Sequence, residues 1–376
     1  MGKIPNACSL RGLGFRHTQY AILIGTLFCG NRERSLVMIQ RWLLLSVILM
    51  VISLKVFMDP STTVLAQESV VAGKRLVPVS RVAFTEGPAW HPELGVLFSD
   101  IQNNRIMRAT LEGDLEVFRS DSGKANGLLF DHQGRLVACE GGNRRITRTE
   151  KDGRIVILAD GYQGKKFNSP NDITIDSQGN LFFTDPRYGD RSGLEQFDGE
   201  GRAIEGVYRI SVDGSVSRVL GQEIARPNGI AVSPDDRFLF VAVNTNDDQG
   251  SDRALYRFDL NSEGNVVVES RKKLFDWGND RGPDGMTVDQ SGRLYVTAGL
   301  NYAAPPHETA GKYQAGVYVI APEGDLIEVI RVPMDMVTNC TFGGVERQTL
   351  YVTAGHTLWS IDTQAKGHTV WTLDRR

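Results

Sequence analysis

From Val71 onward the apolar residues fall in short runs, broken about every ten residues by Gly, Asp or Asn. No segment there has the i, i+3, i+4 spacing of a long amphipathic helix, so the pattern predicts β-strands joined by tight turns. One unit recurs: a polar residue, an apolar strand, a D-x-x-G type turn, a second apolar strand, then two more strands. It reads "NGLLFDHQGRLVACEG" from Asn126, "NDITIDSQGNLFFTDP" from Asn171 and "DGMTVDQSGRLYVTAG" from Asp284. Looser copies are "EGPAWHPELGVLFSD" from Glu86, "NGIAVSPDDRFLFVAV" from Asn228 and "CTFGGVERQTLYVTAG" from Cys340. Their second strands start at Val96, Leu136, Leu181, Leu239, Leu294 and Leu350, a period of 40 to 58 residues. One four-stranded sheet cannot bury both of its faces, whereas six packed radially can. The expected fold is all-β: a six-bladed β-propeller with four-stranded blades around a central channel, forming one domain over residues 67–376. Whether "RLVPVSRVAF" pairs with the last blade to close the ring is left open.

This topology sorts residues by face. If the first strand of each unit is innermost, the residues before it and those after the second strand share one end of the channel. The first set is Glu86, Asn126, Asn171, Asn228, Asp284 and Cys340; the second includes Asp100, Glu140, Asp185 and His356. The length variation, at Arg187–Glu205, Thr245–Arg253 and Asn301–Ala315, falls on the same face. Long loops are uncommon without a function, so three of them predict a wall around the channel mouth.

Composition narrows the class. The 376 residues are 41% hydrophobic, with 40 Gly and 14 Pro, enough for a large core, and the formal net charge of −3 gives no reason to expect nucleic acid. Four Cys without a CxxC pair exclude a zinc ribbon and a dense disulfide scaffold. Cys139 and Cys340 fall on non-adjacent blades and are expected to be buried free thiols. The first 66 residues differ from the rest. Arg32, Arg34 and Arg41 precede the apolar run Leu43–Leu54, and "STTVLAQ" places Val64 and Ala66 at small-residue positions. This predicts an N-terminal extension and signal peptide over 1–66, cleavage near Ala66, and a secreted or periplasmic protein. The alternative is an uncleaved membrane anchor with Lys55 reaching to the interface. Residues 1–37 are long for a signal n-region, and Met38 is an alternative start.

P-N-G, P-N-D and P-D-G are turn formers, which is the ordinary account of each alone. Glu86 at an equivalent position is a poor turn residue and supplies a long carboxylate instead. Carboxylates and amide oxygens converging on a narrow channel are costly without a counter-charge, and a divalent cation removes that cost. Oxygen donors suit a hard ion, and side chains from different blades favour Ca²⁺ over Mg²⁺; Mn²⁺ and Zn²⁺ stay as alternatives. Asn126 is a further ligand or, preferably, a substrate contact.

"FTEGPAW", "NSPNDITID", "ARPNGIAVS", "GPDGMTVD" and "TNCTFGG" together resemble the SMP-30/gluconolactonase/LRE family, over roughly Phe84 to the C-terminus. "CEGGNRRITRTEKDG" and "DPRYG" look like its bacterial sugar-lactonase branch. The resemblance implies a six-bladed propeller with a divalent metal in the channel, usually calcium, and its Glu, Asn, Asn, Asp ligand pattern falls on Glu86, Asn171, Asn228 and Asp284. It implies hydrolysis of a small-molecule lactone, with the metal polarising the carbonyl and Asp284 activating water; Asp284 as direct nucleophile stays open. Asn126, Glu140, Arg187, Tyr188 and His356 are candidates to bind the substrate, against the plainer account that they are polar loop residues. No stable protein partner is implied. The rival readings are an organophosphate or other ester hydrolase, and a non-catalytic ligand-binding propeller with a structural metal. No G-x-S-x-G is present for a serine hydrolase.

Overall fold

The D-x-x-G turns fold for a local reason. Asp131, Asp176 and Asp289 each use one carboxylate oxygen to accept two amides of their own turn, from Gln133 and Arg135, Gln178 and Asn180, and Ser291 and Arg293, at 2.8–3.0 Å. The Gly of each turn has a positive φ of 71°, 96° or 82° at Gly134, Gly179 and Gly292, which only glycine adopts freely. These turns join the first two strands of their blades and set the register between them.

A computed structural model describes residues 69–70, 72, 76–188, 191–247 and 251–369. The expectations for residues 1–66 lie outside them. Blade 1 holds β2 (Thr85–His91), β3 (Gly95–Asp100), β4 (Arg105–Ala109) and β5 (Leu115–Ser120). Blade 2 holds β6 (Ala125–Phe130), β7 (Leu136–Glu140), β8 (Arg145–Thr149) and β9 (Ile155–Ala159). Blade 3 holds β10 (Ile173–Ile175), β11 (Leu181–Thr184), β12 (Val207–Ile210) and β13 (Val216–Leu220). Blade 4 holds β14 (Pro227–Val232), β15 (Phe238–Val243), β16 (Ala254–Leu260) and β17 (Val266–Asp276). Blade 5 holds β18 (Met286–Val288), β19 (Leu294–Ala298), β20 (Gly316–Ile320) and β21 (Leu326–Arg331). Blade 6 holds β22 (Val337–Gly343), β23 (Thr349–Ala354), β24 (Thr357–Asp362) and, as its outermost strand, β1 (Val77–Arg81). All neighbours within a blade are antiparallel. The fold is the expected six-bladed propeller.

β1 settles the closure question: it pairs with β24 in the register Val77↔Ser360 to Arg81↔Thr357, so the N-terminal strand completes the last blade. The strands β2, β6, β10, β14, β18 and β22 pack on one another around the axis. The apolar cores lie between blades; one joins Leu97 and Ile106 to Leu128 and Leu136, another Phe240 and Leu255 to Leu294 and Tyr318. Solvent-facing residues concentrate on the outer strands such as β5 and β9. Cys139 and Cys340 are free and buried.

Candidate active site at the channel mouth

Strand register identifies equivalent positions without appeal to sequence. Trp90, Phe130, Ile175, Val232, Val288 and Phe342 pair with Val96, Leu136, Leu181, Leu239, Leu294 and Leu350, at or next to the start of the second strand of their blade. Four positions before them stand Glu86, Asn126, Asn171, Asn228, Asp284 and Thr338. The sixth member is therefore Thr338 and not Cys340, which lies deeper, with its thiol on the Tyr295 carbonyl at 3.2 Å. The last copy has no N-G or D-G to mark its start, so the repeat pattern alone places that start two residues too late. Thr338 adds no oxygen to the axis, because its hydroxyl donates to the Thr85 carbonyl at 2.9 Å across the joint between blades 6 and 1.

The next layer inward is Gly87, Gly127, Asp172, Gly229, Gly285 and Asn339. A Cβ on Gly87, Gly127 or Gly229 would lie 2.1, 2.6 or 2.2 Å from the carbonyl oxygen of Asn126, Asn171 or Asp284. The glycines thus let the inner strands touch, with Gly127 N–H on Asn171 O at 2.7 Å and Gly229 N–H on Asp284 O at 3.0 Å. Hydroxyls reinforce the joints: Ser99 donates to Asn126 O and Thr184 to Asn228 O, both at 2.7 Å. Asp172 and Asn339 replace glycine in two copies and are hydrogen-bonded to each other. They floor the mouth and roof a channel of about 130 Å³ lined by both apolar and polar side chains, among them Leu128, Thr174, Ile230 and Met286.

Above this floor Glu86, Asn171, Asn228 and Asp284 are all buried. Burial pushes the Glu86 carboxyl well above its ordinary range, and Asp284 and Asp172 add to the shift. Burial lifts Asp284 to about 6, against the pull of Arg281 and Asn228. Burial likewise lifts Asp172 to about 7, against hydrogen bonds from Ile173, Ile230 and Asn339. Arg281 Nη2 stands 3.4 Å from Asp284 Oδ2 and its Nη1 2.8 Å from Glu308 Oε1, while Asp284 Oδ1 is buried with no hydrogen-bond partner. Asn228 Nδ2 donates to Tyr188 Oη at 2.9 Å, leaving the phenol proton free to face the mouth.

The three long loops do lie at this end, joining second to third strands. The second is tied to the third by Arg253, fully buried, whose guanidinium donates to His307 O at 2.8 Å and to Asn279 O of the β17–β18 connection at 2.5 Å. Asp280 accepts the amides of Gly311, Lys312 and Tyr313 at 2.7 Å. Glu205 accepts the Arg187 amide at 2.6 Å and Arg191 at 2.9 Å.

The candidate substrate residues divide. Asn126 and Arg187 line one cavity of about 340 Å³, and Tyr188 touches the ring through Asn228. Glu140 does not join them. Its oxygens accept from Arg119, from Arg145 and Asn143 at 2.7 Å and from Thr147 at 2.8 Å, and it is wholly buried. Burial alone would raise its pKa, but these donors hold it below the ordinary value, so Glu140 pins its own blade through Arg145 and Thr147 and ties it to blade 1 through Arg119. Asp100 does the same with Arg105 Nε at 2.9 Å. His356 occupies the exposed β23–β24 turn, its Nδ1 3.1 Å from Thr357 Oγ1. Among the described residues no three His, Cys, Asp or Glu side chains group closely enough to hold a metal, so any cation here relies on two carboxylates and amide oxygens. Sequence reasoning missed Arg281, Asp172 and Asn339. A signal existed for the last two, which stand where other copies have glycine.

The SMP-30/gluconolactonase/LRE-like family model matches residues 84–356. A gluconolactonase of Zymomonas mobilis is 30% identical over 309 residues, 77% of this chain and 81% of that protein. The structure of a gluconolactonase from Xanthomonas campestris matches with a TM-score of 0.66 at 31% identity, covering 80% of this chain and 92% of that one. A calcium-binding protein, regucalcin from Agrobacterium tumefaciens, shares the fold at a TM-score of 0.60 and 16% identity, over 79% of this chain and 96% of that one. The chain belongs to the SMP-30/gluconolactonase/LRE-like family.

Proposed function

We propose that the protein is a cation-dependent lactonase that opens a sugar lactone at the loop-walled mouth, with Asp284 as general base. The observation that carries it is the buried Asp284 carboxylate, one oxygen held by Arg281 and the other without a partner, beside a second buried carboxylate, Glu86. Gluconolactonases in the same family supply the substrate class.

The donor set fits a hard divalent cation, Ca²⁺ before Mg²⁺, Mn²⁺ or Zn²⁺, held by Glu86, Asn171, Asn228 and Asp284. The unpartnered Asp284 oxygen and the mutual repulsion of Glu86 and Asp284 are the features such an ion relieves. When bound, it supplies Lewis-acid polarisation of the lactone carbonyl. Asp284 is the carboxylate placed to take a proton from water attacking that carbonyl. Arg281 fixes the orientation of the carboxylate through Oδ2. Tyr188 has its hydroxyl proton to give to the substrate, because its oxygen already accepts from Asn228. Asn126 and Arg187 offer amide and guanidinium donors to sugar hydroxyls.

Asp284→Asn is expected to lower kcat for an aldonolactone by about 100-fold or more with the melting temperature retained. Excess chelator silences the wild type, and Ca²⁺ added back restores it; full turnover in either experiment rejects the mechanism. We further infer that the enzyme acts outside the cytoplasm after cleavage near Ala66. N-terminal sequencing of native protein is expected to start near Gln67, and an intact N-terminus in the cytosolic fraction would contradict that.

A further inference from the structure

Arg281 is shared between two acids, and unequally. Its Nη1 donates to Glu308 Oε1 at 2.8 Å, a full charge-assisted hydrogen bond, while its Nη2 stands 3.4 Å from Asp284 Oδ2 and its buried Nε has no partner. The side chains of Asp284, Arg281 and Glu308 are 6%, 11% and 12% exposed, so water screens their charges little. Arg281 lies in the β17–β18 connection and Glu308 in the third long loop. Backbone hydrogen bonds fix both positions. The Arg281 carbonyl accepts from Gly299 N–H at 3.1 Å, and Gly282 N–H donates to Asn246 Oδ1 at 2.8 Å. Thr309 N–H donates to Asn279 O at 2.9 Å, and Ala304 and Glu308 exchange hydrogen bonds at 3.0 and 3.2 Å. Arg253, the other guanidinium near Glu308, is committed to the carbonyls of Asn279 and His307.

An arginine this close to the ring works against a cation. Its charge acts on Glu86 as well as on Asp284. A fixed positive charge in a buried site repels a divalent ion, and a guanidinium docked on both Asp284 oxygens would occupy the ligand itself. Glu308 removes both problems: it neutralises the guanidinium and takes its shorter hydrogen bond, and Asp284 Oδ1 keeps no partner. Resting on the cation-binding part of the proposed function, we propose that Glu308 is a positioning residue for the cation: acting through Arg281, it leaves Asp284 oriented by one oxygen but not neutralised, with the other oxygen available to the ion. The third long loop thereby helps to build the site as well as to wall its mouth. Glu308 touches neither ion nor substrate in this scheme.

The test reads calcium binding by titration calorimetry on chelator-stripped protein, with no substrate present. Glu308→Gln keeps the size of the side chain and removes its charge, and is expected to weaken calcium binding about tenfold or more. Glu308→Asp keeps the charge and is expected to lose less than about threefold. The double variant Arg281→Met/Glu308→Gln removes the guanidinium as well and is expected to recover most of the lost affinity, a reversal that a merely structural role for Glu308 would not show. Melting curves run in parallel are expected to show every variant folded in chelator, with the calcium-induced rise smallest in Glu308→Gln. Calcium affinity unchanged in Glu308→Gln, or equally weak in Glu308→Gln and the double variant, overturns the role of Glu308 and leaves the lactonase reading standing. A wild type that binds no divalent cation and opens lactones at full rate in chelator overturns the cation site itself, and this role with it.

Discussion

Asp284 and Glu140 are both buried acids at the loop-bearing end of the channel, yet their surroundings separate them. Four donors surround Glu140 and lower its pKa; Asp284 keeps one oxygen unpartnered and is raised to about 6. The sequence showed that acids stand at this end, but nothing in it showed that Arg119 and Arg145 would fold back on one of them. The five ring positions from Glu86 to Asp284 were legible because each opens a recognisable repeat. Arg281 was not, since an arginine three residues before an Asp has no distinctive spacing. The glycine layer gives a sharp test at this scale. A Cβ on Gly229 meets the Asp284 carbonyl oxygen at 2.2 Å and Gly285 Cα at 2.8 Å, backbone that cannot step aside. Gly229→Ala is expected to cost about 1–3 kcal/mol and to reduce turnover by displacing Asp284. Gly199→Ala, with open space around it, should stay within about 0.5 kcal/mol by urea denaturation. Equal stability of the two variants would mean that the inner strands do not pack as described.

At the scale of elements, the repeat announced five complete blades but not how the sixth is finished. Strand β1 contains Pro78 and carries no copy of the motif, so only its pairing with β24 reveals its place. The chain just before it is also engaged. Val70 is buried, its amide donates to Glu328 Oε2 at 2.9 Å, and its carbonyl accepts from the Gln364 amide at 2.5 Å. Cleavage near Ala66 would leave these contacts with blades 5 and 6 in place. A chain beginning at Gln67 is expected to melt cooperatively. One beginning at Val82 lacks β1, leaves the β24 edge unpaired, and should lose more than about 3 kcal/mol or aggregate. Indistinguishable thermal transitions for the two chains would show that the ring closes without its N-terminal strand.

Over the whole molecule, the buried acids make stability depend on pH and on cations together. Glu86, Asp172, Asp185 and Asp284 all have native pKa values above their ordinary ones, with Asp172 and Asp185 near 7 and Asp284 near 6, burial being the main cause. A carboxyl whose pKa is raised on folding binds more protons in the native state. Its contribution is present below the unfolded pKa and is lost as pH rises through the native one. The surface and blade-pinning acids with lowered pKa values, such as Glu140 and Asp280, act in the opposite sense and in a different window, losing their contribution only as pH falls below about 4. In chelator the melting temperature is therefore expected to peak near pH 4–5 and to decline toward pH 7–8. A cation bound to the ionised ring, as proposed, would add RT ln(1 + [L]/Kd) to stability, a gain that would grow as Glu86 and Asp284 lose their protons. Calcium should thus raise the melting temperature little at pH 5 and more at pH 8, and Glu86→Gln should flatten that difference. Differential scanning calorimetry across this range, with chelator and with calcium, reads both trends. A melting temperature in chelator that rises steadily from pH 5 to 8 would mean that the acids at the axis are not buried together, and the site built on them would fall with it.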